Sequence, residues 1–287
     1  MSEPLLHIDR SVFNNKFDRR AFSLRHRLTD HPLFAIERLV ELAQTLPSDQ
    51  IEYNAGDLPV NQDPDLTPQN GLSAEETVQR IEHCDSWLVL KRVESDPDYR
   101  VLLDQCLDEI RDLSELIQPN MHQREGFIFV SSPGAVTPYH MDPELNFLLQ
   151  IRGSKVMRVW DPADRVVISE LDLEDYFSSD SHRNLEYRDE YARRCDRFEL
   201  TPGLALHVPM AVPHWVKNGD GVSVSFSITF RTAASRDRER LYQLNARLRS
   251  LGLSPHPVGA SASRDAAKLG LYQVYHRARR ILRSVRA

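Results

Sequence analysis

Apolar positions along the chain follow two different periods, and the switch between them falls near Gly126. Before it the pattern is largely helical. Asp30-His31-Pro32 offers a cap and an early proline ahead of Leu33, Ile36 and Val40 at helical spacing. Ser73 and Glu76 form a capping-box pair that opens a helix reaching Ile81. Asp96-Pro97 starts a third, with Leu102, Cys106, Ile110, Leu113 and Ile117 on one face. SWLVLKRV (86–93) reads as a buried strand, and residues 54–71, rich in Pro, Asn, Asp and Gly, as a long irregular excursion of the kind that is often functional. From Gly126, GFIFVSS, NFLLQIR, KVMRVW, LALHVP and VSVSFSITF are short apolar or alternating runs separated by Pro-Gly, Arg-Gly and Asn-Gly-Asp turns. Short strands joined by such turns predict a mainly β sandwich or small barrel. After Thr232 the period becomes helical again. The expected division is one domain over 1–232, with a helical and strand-containing part at 1–125 and a barrel core at 126–232, followed by C-terminal helices over 233–287.

VSVSFSITF places Val222, Val224, Phe226, Ile228 and Phe230 on one face and Ser223, Ser225, Ser227 and Thr229 on the other. An ordinary surface strand and a barrel strand whose hydroxyls line an internal polar site both fit this alternation. Composition adds little beyond a sizeable core: 41% of residues are hydrophobic and 27% charged, which excludes wholesale disorder. The net charge of −6 argues against a nucleic-acid-coating protein. It is unevenly spread, about +10 from Arg231 onward and about −16 before it. Cys84, Cys106 and Cys195 form neither a disulfide framework nor a zinc knuckle. No secretory signal opens the sequence, and no apolar run approaches the roughly 20 residues that span a bilayer. A cytoplasmic location without a membrane span is expected.

The chemistry concentrates in TPYHMDPELNF (137–147). His140 and Asp142 are two residues apart, so on a strand they share a face and reach one ion. His214, in VPHWVKN, supplies a third ligand. Two imidazoles and a carboxylate on one side of a metal form the facial triad of non-haem iron(II), which leaves positions open for chemistry. Zinc, which also accepts nitrogen and oxygen donors, is the competing ion. An HxD pair alone is a weak signal, but here it adjoins strongly apolar strands, where burying ionisable groups is costly unless something compensates. Lys155, in GSKVMRVW, reads either as an edge residue snorkelling to water or as a fixed cation for the far carboxylate of a keto acid, helped by the Thr137 hydroxyl.

VTPYHMDPELNFLLQIRGSK resembles the core of the JmjC/cupin-like iron(II)- and 2-oxoglutarate-dependent oxygenases, and is most similar to their asparaginyl hydroxylase branch. Thr137, His140, Asp142, Asn146 and Lys155 stand at the family's offsets, and VPMAVPHWVKNGDGVSVSFS resembles its second half. The resemblance spans about residues 126–231. It implies a double-stranded β-helix, a jelly-roll barrel decorated with helices. It also implies iron(II) on His140, Asp142 and His214, 2-oxoglutarate as cosubstrate gripped by Lys155 and Thr137 with Asn146 beside it, and dioxygen as oxidant. The expected reaction hydroxylates a C–H bond of a protein side chain or small metabolite and releases succinate and carbon dioxide. One position departs from the family: Ser227 stands where those hydroxylases carry an amide, and its hydroxyl has a shorter reach toward cosubstrate or metal-bound water.

The alternatives are a metal-dependent cupin enzyme that uses no 2-oxoglutarate and a non-catalytic cupin-like regulator, although no helix-turn-helix pattern is visible. Residues 164–196 read as a solvated crossover loop, with a substrate-reading lid as the sharper option. His207 reads as a satisfied core histidine rather than a partner of the ligands, and His122 and His182 as loop residues. Leu241, Leu244, Leu248 and Leu251 mark one C-terminal helix. Leu271, Val274, Tyr275, Ala278, Ile281, Leu282 and Val285 stripe another, surrounded by arginines. Packing on the barrel and homodimerisation are the readings preferred for this stripe, ahead of an acidic partner, RNA or a membrane surface.

Overall fold

Two antiparallel sheets form the scaffold, and helices pack on the larger of them. The computed structural model describes residues 3–63, 66–179 and 185–284, with side chains as far as residue 274. Twelve strands alternate with the helices: β1 (Leu6–His7), β2 (Phe22–His26), β3 (Ile51–Ala55), β4 (Ser86–Lys91), β5 (His122–Ser131), β6 (Val136–His140), β7 (Leu145–Arg152), β8 (Lys155–Trp160), β9 (Cys195–Leu200), β10 (Leu204–Val208), β11 (His214–Asn218) and β12 (Ser223–Arg231). They form two antiparallel sheets, one of eight strands in the order β1-β2-β10-β7-β12-β5-β4-β3 and one of four in the order β6-β11-β8-β9. This is the double-stranded β-helix that the resemblance implies. The large sheet also draws on the N-terminal part: β1, β2 and β3 escape the sequence pattern because they are short and flanked by helical periodicity.

The helices are α1 (Arg10–Lys16), α2 (Ile36–Thr45), α3 (Ala74–Gln79), α4 (Pro97–Ser114), α5 (Glu170–Ser178), α6 (Ala233–Ser250) and α7 (Ala262–Ser284). Several begin where the sequence marks a start. Ser73 Oγ accepts the Glu76 amide at 3.1 Å while Glu76 accepts the Ser73 amide at 3.0 Å. Asp96 caps α4 through the Asp98 amide at 2.9 Å, with Pro97 at the first helical position.

Two cores follow from the strand alternation. On the helix side of the large sheet, Phe147, Leu149, Phe226, Ile228 and Phe230 are completely buried against Phe13, Phe17, Phe34 and Tyr99. Between the sheets, Leu148 packs with Met157, Val159, Leu206 and Val216. β12 is therefore buried on both faces, and its hydroxyl face turns inward. There Ser223 Oγ accepts from Gln150 Nε2 at 3.0 Å and Ser225 Oγ donates to Gln150 Oε1 at 2.6 Å. A buried hydroxyl is tolerated because its hydrogen bond is made within the protein. Gly153 sits in the β7–β8 turn at φ +69°, where a Cβ would lie 2.3 Å from the Val222 carbonyl oxygen, so only glycine fits there.

Residues 164–196 depart from the loop expectation, since α5 occupies part of them. Its start is a second capping box, Ser169 with Asp172. Leu173, Glu174, Tyr176 and Phe177 are buried, and Phe177 stacks on Tyr242 of α6 at 5.5 Å. His182 lies outside the described residues. His122 opens β5 rather than standing in a loop. α6 is fastened to the barrel by Asp18, which pairs with Arg238 and accepts from Gln118 Nε2 at 2.7 Å. α7 lies against α6, with Arg240 over the Tyr272 ring at 5.7 Å, and leaves Leu271 67% and Val274 66% exposed. The stripe positions from Tyr275 onward lie outside the described side chains.

Candidate metal and cosubstrate site

His140 ends β6 and His214 begins β11, and the two are directly paired across the small sheet. Beyond this pair the register shifts: Val216, two residues after His214, faces Thr137, three residues before His140. In a regular strand, positions three apart point to opposite faces. The extra residue is a β-bulge, which restores Thr137 and His140 to the same cavity. Pro138 sits in the bulge, where a missing N–H costs least. Asp142 corrects the expectation of a shared strand face, because it lies just past the end of β6. Its loop is fixed by tertiary bonds instead. The Ala211 amide donates to the Asp142 carbonyl at 2.8 Å, and the Tyr176 hydroxyl of α5 donates to the Met141 carbonyl at 3.0 Å.

One donor atom from each of His140, Asp142 and His214 lies within 4.8 Å of the others. The Asp142 carboxylate oxygens stand 3.8 Å from His140 Nε2 and 3.6 Å from His214 Nε2. Each imidazole spends its other nitrogen on a backbone carbonyl: His140 Nδ1 on Pro138 at 2.7 Å, and His214 Nδ1 on Val212 at 2.9 Å. Those bonds make Nδ1 the protonated nitrogen and leave both Nε2 lone pairs aimed at the carboxylate. Ligands bonded at about 2.1 Å stand about 3.0–3.4 Å apart around a metal. The two carboxylate–imidazole spacings reach that range with side-chain shifts of a few tenths of an ångström, and the chemistry of the donor set fits a divalent ion held by nitrogen and oxygen.

The triad opens into a cavity of about 330 Å³ between the sheets. Lys155, Thr137, Asn146 and Ser227 all line it. β8 lies between β11 and β9, so Lys155 is not on an edge, and only 5% of it is exposed. Among the described residues it has no carboxylate partner, and burial pushes its ammonium pKa down to about 7. Val159 of the same strand pairs with His214. Lys155 is four residues earlier, roughly 13 Å along the strand, with Thr137, Val216 and Met157 occupying the row between. Asn146 and Ser227 face the cavity from the large sheet, and the Ser227 hydroxyl donates to Asn146 Oδ1 at 2.8 Å.

The cavity has further lining residues that the sequence motifs do not mark. Trp87, Val89, Phe127 and Phe129 form an apolar wall, while Gln62 and Thr67 reach in from the 54–71 excursion. Asn61 of that excursion exchanges two hydrogen bonds with the Tyr187 backbone at 2.9 and 2.8 Å, tying it to the segment after α5. Glu144 is pushed up to about 7 by burial first and by Asp142 second, against the opposing pull of Arg231 at 3.0 Å. No strand alternation marks Glu144, which lies with Asp142 in the turn between β6 and β7, whereas the capping box at Ser169 could have flagged the helix that carries Tyr176. His207, in contrast, faces the helices. Its Nδ1 donates to the Asn146 carbonyl at 3.0 Å, its Nε2 accepts from the Asp18 amide at 3.1 Å, and burial pushes its pKa down to about 4.

With this geometry in place, the chain belongs to the cupin-like domain family, whose model matches residues 47–236. Among individual proteins, it is 30% identical over 105 residues to lysine-specific demethylase 8 of Xenopus tropicalis, a match covering 34% of this chain and 22% of that protein. The chain thus spans about a fifth of the length of the curated relative it matches. The structure of YcfD from Escherichia coli superimposes with a TM-score of 0.56 at 17% identity, covering 96% of this chain and 69% of that one. A complex of the same protein, described as a ribosomal oxygenase with cobalt and 2-oxoglutarate, gives a TM-score of 0.52 at 17% identity, covering 95% and 68%. At such identity the likeness establishes the fold.

Proposed function

We propose that this protein is an iron(II)- and 2-oxoglutarate-dependent oxygenase that hydroxylates a C–H bond of a protein side chain or small metabolite. His140, Asp142 and His214 hold the metal. The observation that carries the cosubstrate assignment is Lys155, a buried ammonium with no carboxylate partner among the described residues, in the same cavity as the triad. A buried cation is costly unless an anion joins it, and a dicarboxylic keto acid brings that anion at its far end. When bound, iron(II) and 2-oxoglutarate supply the dioxygen chemistry that gives succinate, carbon dioxide and a hydroxylated product. Lys155 and Thr137 anchor the distal carboxylate, and Asn146 lies beside the keto-acid end. The wall of Trp87, Phe127 and Phe129 excludes water, which strengthens the electrostatic grip of Lys155. Complexes of YcfD with 2-oxoglutarate and with succinic acid support this reading of the cavity.

The three cysteines are free, in keeping with a reducing cytoplasm. No described helix is long and apolar enough to cross a membrane. Succinate formation from 2-oxoglutarate, with iron(II), ascorbate and oxygen, tests the function. Slow turnover is expected, and its loss in both His140→Ala and Lys155→Ala would assign it to this site. Absent turnover together with absent calorimetric binding of 2-oxoglutarate to metal-loaded protein would transfer the site to another cupin chemistry or to a non-catalytic regulator.

A further inference from the structure

Ser227 and Asn146 face the cavity from neighbouring strands, β12 and β7, and both are more than nine-tenths buried. The serine hydroxyl donates to Asn146 Oδ1 at 2.8 Å. Among the described residues neither side chain makes another side-chain hydrogen bond. Thr229, the next inward hydroxyl on β12, is occupied with the Glu125 carbonyl at 3.3 Å. Asn146 is also anchored through its main chain, whose carbonyl accepts from His207 Nδ1 at 3.0 Å. A carboxamide presents a carbonyl on one side and N–H donors on the other, and rotation by half a turn exchanges them. With the carbonyl held by Ser227, the donors are left for the cavity. The flipped amide would direct its carbonyl at any anion there and leave the serine proton without an acceptor.

We infer that Ser227 is a positioning residue: its hydroxyl sets the Asn146 carboxamide so that the N–H donors face the carboxylate at the keto-acid end of the cosubstrate. This rests on the 2-oxoglutarate reading above and explains how the chain works with a serine in place of the amide expected there. A longer amide would touch the ligand itself; the serine acts through its neighbour. Only a donor is useful at that point, because an ionised carboxylate accepts and cannot donate.

The test uses the full-length protein loaded with zinc(II), which is diamagnetic and redox-silent, and compares wild type, Ser227→Ala, Asn146→Ala and the double variant. Calorimetric titration with 2-oxoglutarate should show each single variant weakened by about five- to tenfold, the equivalent of one hydrogen bond. The double variant should match Asn146→Ala within about twofold, because a residue acting through another adds nothing once that other is gone. Side-chain amide NMR supplies a readout that packing alone would not move. The Asn146 NH2 resonances, assigned by their loss in Asn146→Ala, should shift when 2-oxoglutarate binds and should already be displaced in ligand-free Ser227→Ala. Multiplying losses in the double variant, or wild-type affinity in Ser227→Ala, would overturn the inference. If wild type binds no 2-oxoglutarate, the proposed function fails and the resonances alone decide: an undisplaced Asn146 NH2 pair in Ser227→Ala refutes the positioning role, and a displaced pair supports it.

Discussion

Replacing Lys155 with methionine should strengthen the fold while abolishing cosubstrate binding. Burial moves the Lys155 pKa from 10.5 to about 7, and that gap corresponds to about 5 kcal/mol favouring the neutral amine. The sign follows from proton counting. Between pH 7 and 10.5 the unfolded chain binds a proton that the folded protein does not, so stability rises with pH across that window. Below pH 7 the folded protein carries the full cost of the buried ammonium, and above 10.5 the cost is gone. Methionine fills similar space without charge. At pH 6, Lys155→Met should therefore melt roughly 5–10 °C above wild type, at about 2 °C per kcal/mol for a chain of this size, and the difference should shrink toward pH 10. Ligand binding runs the other way. 2-Oxoglutarate requires the ammonium, so wild-type affinity should be flat below pH 7 and fall up to about tenfold per pH unit above it, with proton uptake on binding. Calorimetry in two buffers of different ionisation enthalpy measures that uptake. A variant several kcal/mol less stable than wild type at pH 6, or one that 2-oxoglutarate still stabilises, would refute the reasoning.

His207 should contribute an acid-sensitive term. Its folded pKa of about 4 lies below the ordinary 6.5, so stability is complete above pH 6.5 and about 3 kcal/mol is lost as pH falls to 4; His207→Gln should flatten that part of the profile in urea titrations. Asp18→Ala removes the carboxylate shared by Arg238 and Gln118 and should cost about 3 kcal/mol, with proteolysis of α6 rising in parallel; unchanged urea midpoints would show the pair to be dispensable. Light scattering on the full chain tests the proposed homodimer. Leu271→Glu with Val274→Glu should convert a dimeric mass to a monomeric one, and a monomeric wild type would remove that role from the stripe.

The donor chemistry was legible in the sequence because it depends on residue type and short spacing. His140, Asp142, His214 and Lys155 could be nominated from their setting among apolar strands, and the alternation of β12 showed that its hydroxyls share one face. Whether that face met water or an interior was undecidable locally. A strand with serines outside and one with serines inside have the same pattern, and only the second sheet, lying opposite β12, settles it. Tertiary structure also decided how the site is assembled. A one-residue bulge, not strand periodicity, turns Thr137 and His140 into one cavity. Asp142 is placed by bonds from Ala211 and Tyr176, residues 69 and 34 positions away in the chain. Those bonds come from a loop and a helix that no local pattern connects to the HxD segment. Lys155 follows the same rule: its residue type offers a cation, but its burial on a strand flanked on both sides, with no carboxylate beside it among the described residues, exists only once the small sheet has formed.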